Sequence, residues 1–162
     1  TTLESICEHY LKESKRAAMI DIHTGLGPYG YGELMTPSKP GEKVFDLFSN
    51  WYGDQVHSTT AGTSLYAGSK GSILAGFQPL PDTLDWAAVG LEYGTRERET
   101  MRKAMLANTW LHVHGDLDSD LGRQIKREVK DASYPDEDQW KSLVWARGKE
   151  VIGIALERCS QS

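Results

Sequence analysis

The chain predicts an α/β fold, and three observations predict it. Short apolar runs of the strand type occur at residues 17–23 and 86–93. Stretches with apolar residues at helical spacing precede, separate and follow them. Two glycine-rich stretches adjoin the predicted strands, and in α/β proteins ligands collect in loops at strand ends. Length and composition agree. With 162 residues, 39% hydrophobic and 25% charged, the chain is long enough for one domain with its own core. The same figures exclude collagen-like, low-complexity and wholly disordered classes.

Taken in order, Leu3, Ile6, Cys7, Tyr10 and Leu11 follow the i, i+3, i+4, i+7, i+8 pattern of an amphipathic helix, with Thr1 and Glu4 placed for a capping box. Residues 17–23 form a predicted buried strand that ends at His23. Gly25 to Gly41, dense in Gly and Pro, predicts a long loop, and long loops inside compact domains are usually functional. A helix is expected from about Lys43 to Tyr52, with Val44, Phe45, Phe48, Trp51 and Tyr52 on one face. Gln55–Thr60 has the pattern of a short strand, and Ala61 to Pro81 is again rich in Gly and Ser. Trp86–Tyr93 predicts a strand. Helices follow from about Glu97 to Leu111 (Met101, Ala104, Met105 and Leu111 at helical spacing), over Asp116–Lys130, and from Asp136, with Gln139 completing a capping pair. In the last helix Trp140, Leu143, Val144, Val151, Ile154 and Ala155 form a stripe. These stripes are expected to be core faces.

Charge and cysteine usage narrow the function classes. Eighteen basic against 23 acidic residues give a net charge of −5, so no basic surplus exists to hold a phosphate backbone, and nucleic acid is excluded as the expected partner. Cys7 and Cys159 do not make a disulfide framework, and no C-x-x-C pair occurs; both are expected to be buried or half-buried thiols. No apolar run approaches the roughly 18 residues of a membrane span, so no membrane partner is expected. A cytoplasmic, reducing compartment is the expectation.

Four motifs matter. Gly25-Leu26-Gly27-Pro28-Tyr29-Gly30 matches G-x-G-x-x-G, but no helix pattern begins before about residue 41, so no helix N-terminus faces a pyrophosphate, and a nucleotide site is rejected. His23 closes a predicted strand and is followed by glycine, which leaves room above the imidazole. Glu92 is a carboxylate in the last turn of an otherwise apolar strand. It shares its face with Ala88 and Gly90, whose small side chains predict a cavity beside it. A charge so placed is costly unless paired or functional. His112, His114 and Asp116 form H-x-H-x-D, which would suit a metal if extended, but Gly115 and the end of a helical pattern assign it to a helix C-terminus. No nucleophile elbow, P-loop or H-E-x-x-H is found.

Taken together, Ile20-Asp21-Ile22-His23-Thr24-Gly25-Leu26-Gly27 and Val89-Gly90-Leu91-Glu92-Tyr93-Gly94-Thr95 resemble the second half of the zinc carboxypeptidase superfamily. The nearest group in that resemblance is a set of bacterial proteins defined by a domain of unknown function, with succinylglutamate desuccinylases and aspartoacylases further away. The similarity extends through Asn108-Thr109-Trp110-Leu111-His112 and Tyr134-Pro135-Asp136. It implies a mixed, largely parallel sheet flanked by helices, of the phosphorylase/hydrolase-like, zinc-exopeptidase type. Residues 1–162 would then be a single domain, the C-terminal portion of a catalytic domain whose N-terminal part is missing.

The resemblance also implies roles. His23 matches the superfamily's third zinc ligand, and Glu92 its general base, which takes a proton from zinc-bound water and returns it to the leaving amine. Tyr66, in Tyr66-Ala67-Gly68-Ser69-Lys70-Gly71-Ser72-Ile73, matches a tyrosine that contacts substrate. The departure is equally informative. The first two zinc ligands of the superfamily come from an upstream H-x-x-E, absent from this chain, and the substrate-binding arginines also lie upstream. A catalytic zinc takes three protein ligands. The chain alone is therefore expected to bind zinc weakly or not at all and to be inactive. The complete protein would hydrolyse an amide in a peptide or N-acyl amino acid. Thr1 in place of an initiator Met predicts a processed or truncated piece, and lost sheet neighbours predict self-association.

The alternative is a non-catalytic α/β domain that binds a ligand or partner through its glycine-rich loops. The two readings separate on one point: in an enzyme His23 and Glu92 should converge on one cleft.

Overall fold

The computed structural model describes residues 2–66, 72–76 and 84–161. Helix α1 (Thr2–Leu11) leads into strand β1 (Arg16–Tyr29) and strand β2 (Gly32–Thr36). Helix α2 (Lys43–Tyr52) and a 3-10 turn (Gly53–Gln55) precede β3 (Val56–Ser58). A short helix α3 (Ile73–Gly76) comes before β4 (Asp85–Gly94), and the chain ends with α4 (Arg98–His114), α5 (Asp120–Ser133) and α6 (Asp138–Ser160). The strands form one sheet in the order β1-β4-β2-β3, mixed and mostly parallel, so the α/β class and the sheet type expected from the sequence are those observed. No helix among the described residues is long and apolar enough to cross a membrane.

The chain divides into two compact units, and β1, β2, β4 and α6 each contribute to both. The first unit comprises Thr1–Ile22, Glu33–Leu91 and Gly148–Ser162. Here β2 and β3 run parallel, with Leu34 beside Val56, Met35 beside His57 and Thr36 beside Ser58. Parallel strands covered on both faces are apolar throughout rather than alternating. Accordingly all five residues of β2 are buried, as are Ala87, Ala88, Val89 and Leu91 of β4. From α2, Phe48, Trp51 and Tyr52 enter this core at the predicted spacing. Arg16 ties the start of β1 to the end of the chain, its guanidinium donating to the Gln161 carbonyl at 2.6 Å.

The second unit comprises His23–Gly32 and Glu92–Arg147. Helices α4 and α5 pack on each other and bury Ala104, Leu111, Ile125 and Ala132. Helix α5 is capped by Ser119, whose side chain accepts the Gly122 N–H at 3.0 Å. Trp140 is buried and donates its indole N–H to the Gly94 carbonyl at 2.9 Å, while the Tyr93 hydroxyl reaches the Val144 carbonyl at 3.0 Å. Arg96 makes a forked pair with Asp131, at 3.1 and 2.7 Å, and bonds Glu137 at 2.7 Å.

Several sequence expectations are corrected. The loop predicted from Gly25 to Gly41 is largely strand: β1 continues to Tyr29 and β2 occupies Gly32–Thr36. His23 therefore lies inside β1 rather than at its end. Glycine density reads as a loop, yet Gly25 (φ +140°) lets an extended strand bend and continue where an L side chain would be strained. The cavity expected beside Glu92 at the small-residue position Gly90 is filled: a Cβ there would lie 3.0 Å from the Met35 side chain and 3.1 Å from Leu74.

Not every apolar stripe is a core face. In α1 only Cys7 is buried while Tyr10 is exposed, because this short helix is covered on one narrow flank. In α4 Met105 is exposed. In α6 Trp140, Val151 and Ala155 are buried and Leu143 is exposed. Trp140 and Val151 are about three turns apart, so the covered line is narrower than the predicted stripe. The final helix also starts at Asp138, after the predicted Asp136 cap, and Asp136 instead pairs with Lys141. The Thr1 cap of α1 lies outside the described residues.

Candidate active site

Glu92 belongs to the second unit, two residues before the end of β4. It is 5% exposed. A carboxylate at that depth needs hydrogen bonds to offset lost hydration. One is supplied by β1: the Leu26 N–H donates to Glu92 Oε1 at 3.0 Å. That amide lies three residues beyond His23 on the same strand. A Cβ at Gly25 would stand 2.6 Å from Met101 Cε and 3.9 Å from Glu92 Oε1, so the strand is packed closely on the Met101 side chain beside the carboxylate.

A second close approach fixes the end of β4. A Cβ on Gly94 would overlap the carbonyls of Gly27 and Pro28, so only glycine admits this contact. Gly30 N–H donates to the Gly94 carbonyl and Gly94 N–H to the Tyr31 carbonyl, both at 2.9 Å. The backbone of residues 25–31 is thus held along residues 92–94 by hydrogen bonds at both ends.

His23 is exposed, in the middle of β1. Its neighbour Thr24 donates its hydroxyl to the Ser133 carbonyl at 2.6 Å, which anchors this part of the strand to the end of α5. Further along, the Tyr29 hydroxyl donates to Glu137 at 2.5 Å. That bond raises the Tyr29 pKa, and together with the Arg96 guanidinium it holds the Glu137 carboxyl below the usual carboxylate range. Within the second unit it is the Leu26 amide of β1 that meets the Glu92 carboxylate; His23 stands three residues earlier on that strand and is exposed.

Tyr66, the third predicted site residue, belongs to the first unit and is half-buried. Its backbone N–H donates to Ser64 Oγ at 3.0 Å. The Gly/Ser turn that carries its resemblance, residues 67–71, lies outside the described residues.

His112 and His114 lie in the last turn of α4, and His112 Nε2 faces Lys126 Nζ at 2.6 Å. Asp116 Oδ1 accepts the Asp118 N–H at 2.9 Å, within the turn before α5. Burial raises both thiol pKa values, the opposite of an activated nucleophile. G-x-G-x-x-G lies in strand and turn, and no helix starts there.

Among the described residues no group of three or more His, Cys, Asp or Glu is placed to hold a metal ion. A catalytic zinc takes three protein ligands. His23 alone does not meet that requirement, so the donor set of these residues does not fit a zinc centre by itself.

One buried carboxylate escaped the sequence reading. Glu33 of β2 is 2% exposed and accepts the Leu65 N–H at 3.0 Å and the Ser64 hydroxyl at 3.1 Å. The available signal was a lone acid inside Gly32-Glu33-Leu34-Met35-Thr36, a run hidden by the surrounding glycines.

A family model described as a protein of unknown function (DUF2817) matches residues 1–147. The chain belongs to that family. No curated protein and no solved structure matches the chain. The matched residues include His23, Tyr66 and Glu92.

Proposed function

We propose that this chain carries part of the active site of a zinc-dependent, metallocarboxypeptidase-like amide hydrolase acting on a peptide or an N-acyl amino acid. The observation that carries the reading is the buried Glu92 carboxylate, which accepts the Leu26 N–H at 3.0 Å on the strand that bears His23. Resemblance of the two segments around His23 and Glu92 to the zinc carboxypeptidases supports it. In this reading Glu92 is the general base: it takes a proton from the attacking water and passes it to the leaving amine. The hydrogen bond from the Leu26 N–H orients the carboxylate, and its burial keeps bulk water from competing for the proton. Tyr66 contacts the substrate. His23 is one metal ligand, and the other ligands come from outside the described residues. The compartment is the cytoplasm, in keeping with two free cysteines.

The test is Glu92→Gln in the full-length protein. It keeps shape and one acceptor but removes the base. Hydrolysis of an N-acyl amino acid or short peptide should fall by about 10²–10⁴-fold, with metal content measured by elemental analysis unchanged. Unaltered turnover would exclude the general-base role.

A further inference from the structure

We propose that Glu33 is a positioning residue for Tyr66, acting through Ser64 and Leu65; this rests on the reading of Tyr66 as a substrate contact. Every residue in the argument belongs to the first unit. Glu33 is buried in β2, and both of its carboxylate oxygens face the segment that follows β3. Oε1 accepts the Leu65 N–H at 3.0 Å, and Oε2 accepts it at 3.3 Å and the Ser64 hydroxyl at 3.1 Å. Ser64 Oγ in turn accepts the Tyr66 N–H at 3.0 Å. The serine hydroxyl thus donates to Glu33 and accepts from the Tyr66 backbone N–H, and this directional chain sets the backbone immediately before the tyrosine side chain.

The other end of the segment is fixed independently. Thr59 N–H donates to the Thr36 carbonyl at 2.9 Å, Thr63 Oγ1 accepts the Ser58 N–H at 2.8 Å, and Ser58 Oγ accepts the Ala61 N–H at 3.0 Å. Residues 59–65 therefore run from the end of β2 at Thr36 back to Glu33, its second residue. The hydroxyls hold the near end, and a buried carboxylate holds the far end, next to Tyr66. A hydroxyl or amide at position 33 would serve as a plain strand residue. Burying a charged acceptor is costly, and its hydrogen bonds to backbone N–H and hydroxyl donors are stronger than neutral ones. Glu33 is an expensive anchor for an exposed loop unless the position of that loop matters.

The experiment compares Glu33→Ala, Glu33→Gln and Tyr66→Phe in the full-length protein, with residue-resolved amide hydrogen exchange and steady-state hydrolysis of a short peptide. Glu33→Ala should speed exchange at Leu65 and Tyr66 by about tenfold or more and raise KM by about tenfold while changing kcat by less than about twofold. Glu33→Gln, which keeps an acceptor for Leu65, should restore much of both. In the Tyr66→Phe background the KM effect of Glu33→Ala should largely vanish. Unchanged exchange at Leu65 and Tyr66, or a KM effect of full size without the tyrosine hydroxyl, overturns the proposal. If Glu33→Ala does not fold, Ser64→Ala carries the test: faster exchange at Tyr66 and a raised KM with Leu65 still protected support the serine link, and no change in either refutes it. Absence of any amide hydrolysis by the unaltered protein defeats the hydrolase reading instead, and the exchange data still decide whether Glu33 holds the segment.

Discussion

Glu33 and Glu92 are two carboxylates in similar settings with different partners. Both stand on strands of one sheet, both are almost fully buried, and both accept a backbone N–H at 3.0 Å. Glu92 takes its N–H from β1, the strand of His23. Glu33 takes its N–H from a connection and shares a serine hydroxyl with it. Burial and a backbone bond therefore do not distinguish the carboxylate proposed as a base from the one proposed as an anchor. What distinguishes them is the chemistry carried by the element on the other side of the hydrogen bond: an imidazole-bearing strand in one case, hydroxyl and amide donors in the other.

The largest expected effect tests that distinction directly. Glu92→Gln should lower kcat by about 10²–10⁴-fold, whereas Glu33→Ala should leave kcat within about twofold and act on KM. Equal losses of kcat in the two variants would erase the comparison.

Next come two glycines of β4, one in each unit. Gly94→Ala forces a methyl into the carbonyls of Gly27 and Pro28, and backbone cannot step aside cheaply. Denaturant unfolding should show a loss of about 3 kcal/mol, the upper end for overpacking. Gly90→Ala meets the flexible Met35 side chain at 3.0 Å and should lose only about 1 kcal/mol. The reverse order would mean that the β1–β4 approach near Glu92 is looser than the geometry indicates.

A smaller change is expected in the first-unit core. The Tyr52 hydroxyl is buried without a hydrogen-bond partner among the described residues, and burial pushes its pKa up to about 12. Tyr52→Phe removes an unsatisfied polar atom, so the melting temperature should hold or rise, with a gain of at most about 1 kcal/mol. A clear fall would show that the hydroxyl has a partner.

The smallest effect concerns acid. Glu137 has a depressed pKa because Tyr29 and Arg96 bond its charged form. Its contribution is present above the ordinary glutamate pKa and is lost as pH falls through the depressed value. Thermal stability should therefore decline on acidification through and below the usual carboxylate range, with a shallower slope in Glu137→Gln. Identical slopes would remove Glu137 from the frame of the second unit.

Much of the fold was legible because it depends on local period. Helix α2 begins and ends where the apolar spacing of Val44, Phe48, Trp51 and Tyr52 says it should, and β4 differs from its predicted span by one residue at each end. Glu92 stood out because a charge in an apolar strand conflicts with its surroundings. Glu33 did not, since glycine and proline on either side hid the strand that buries it. The exposed Tyr10, Met105 and Leu143 belong to helices whose period was read correctly. Period identifies which side chains share a face, but coverage of that face depends on neighbours distant in sequence.

The sequence by itself determined the α/β class, the helix and strand types of most segments, and the candidacy of His23 and Glu92, because propensity, spacing and a misplaced charge are properties of neighbouring residues. Only the tertiary structure decided that β1 runs on through its glycines, that Met35 fills the space over Gly90, and that Glu92 and Glu33 each hold a distant backbone amide. Those outcomes rest on a positive φ at Gly25, on the backbone approach at Gly94 and on hydrogen bonds between residues 66 and 32 positions apart, which no local pattern encodes.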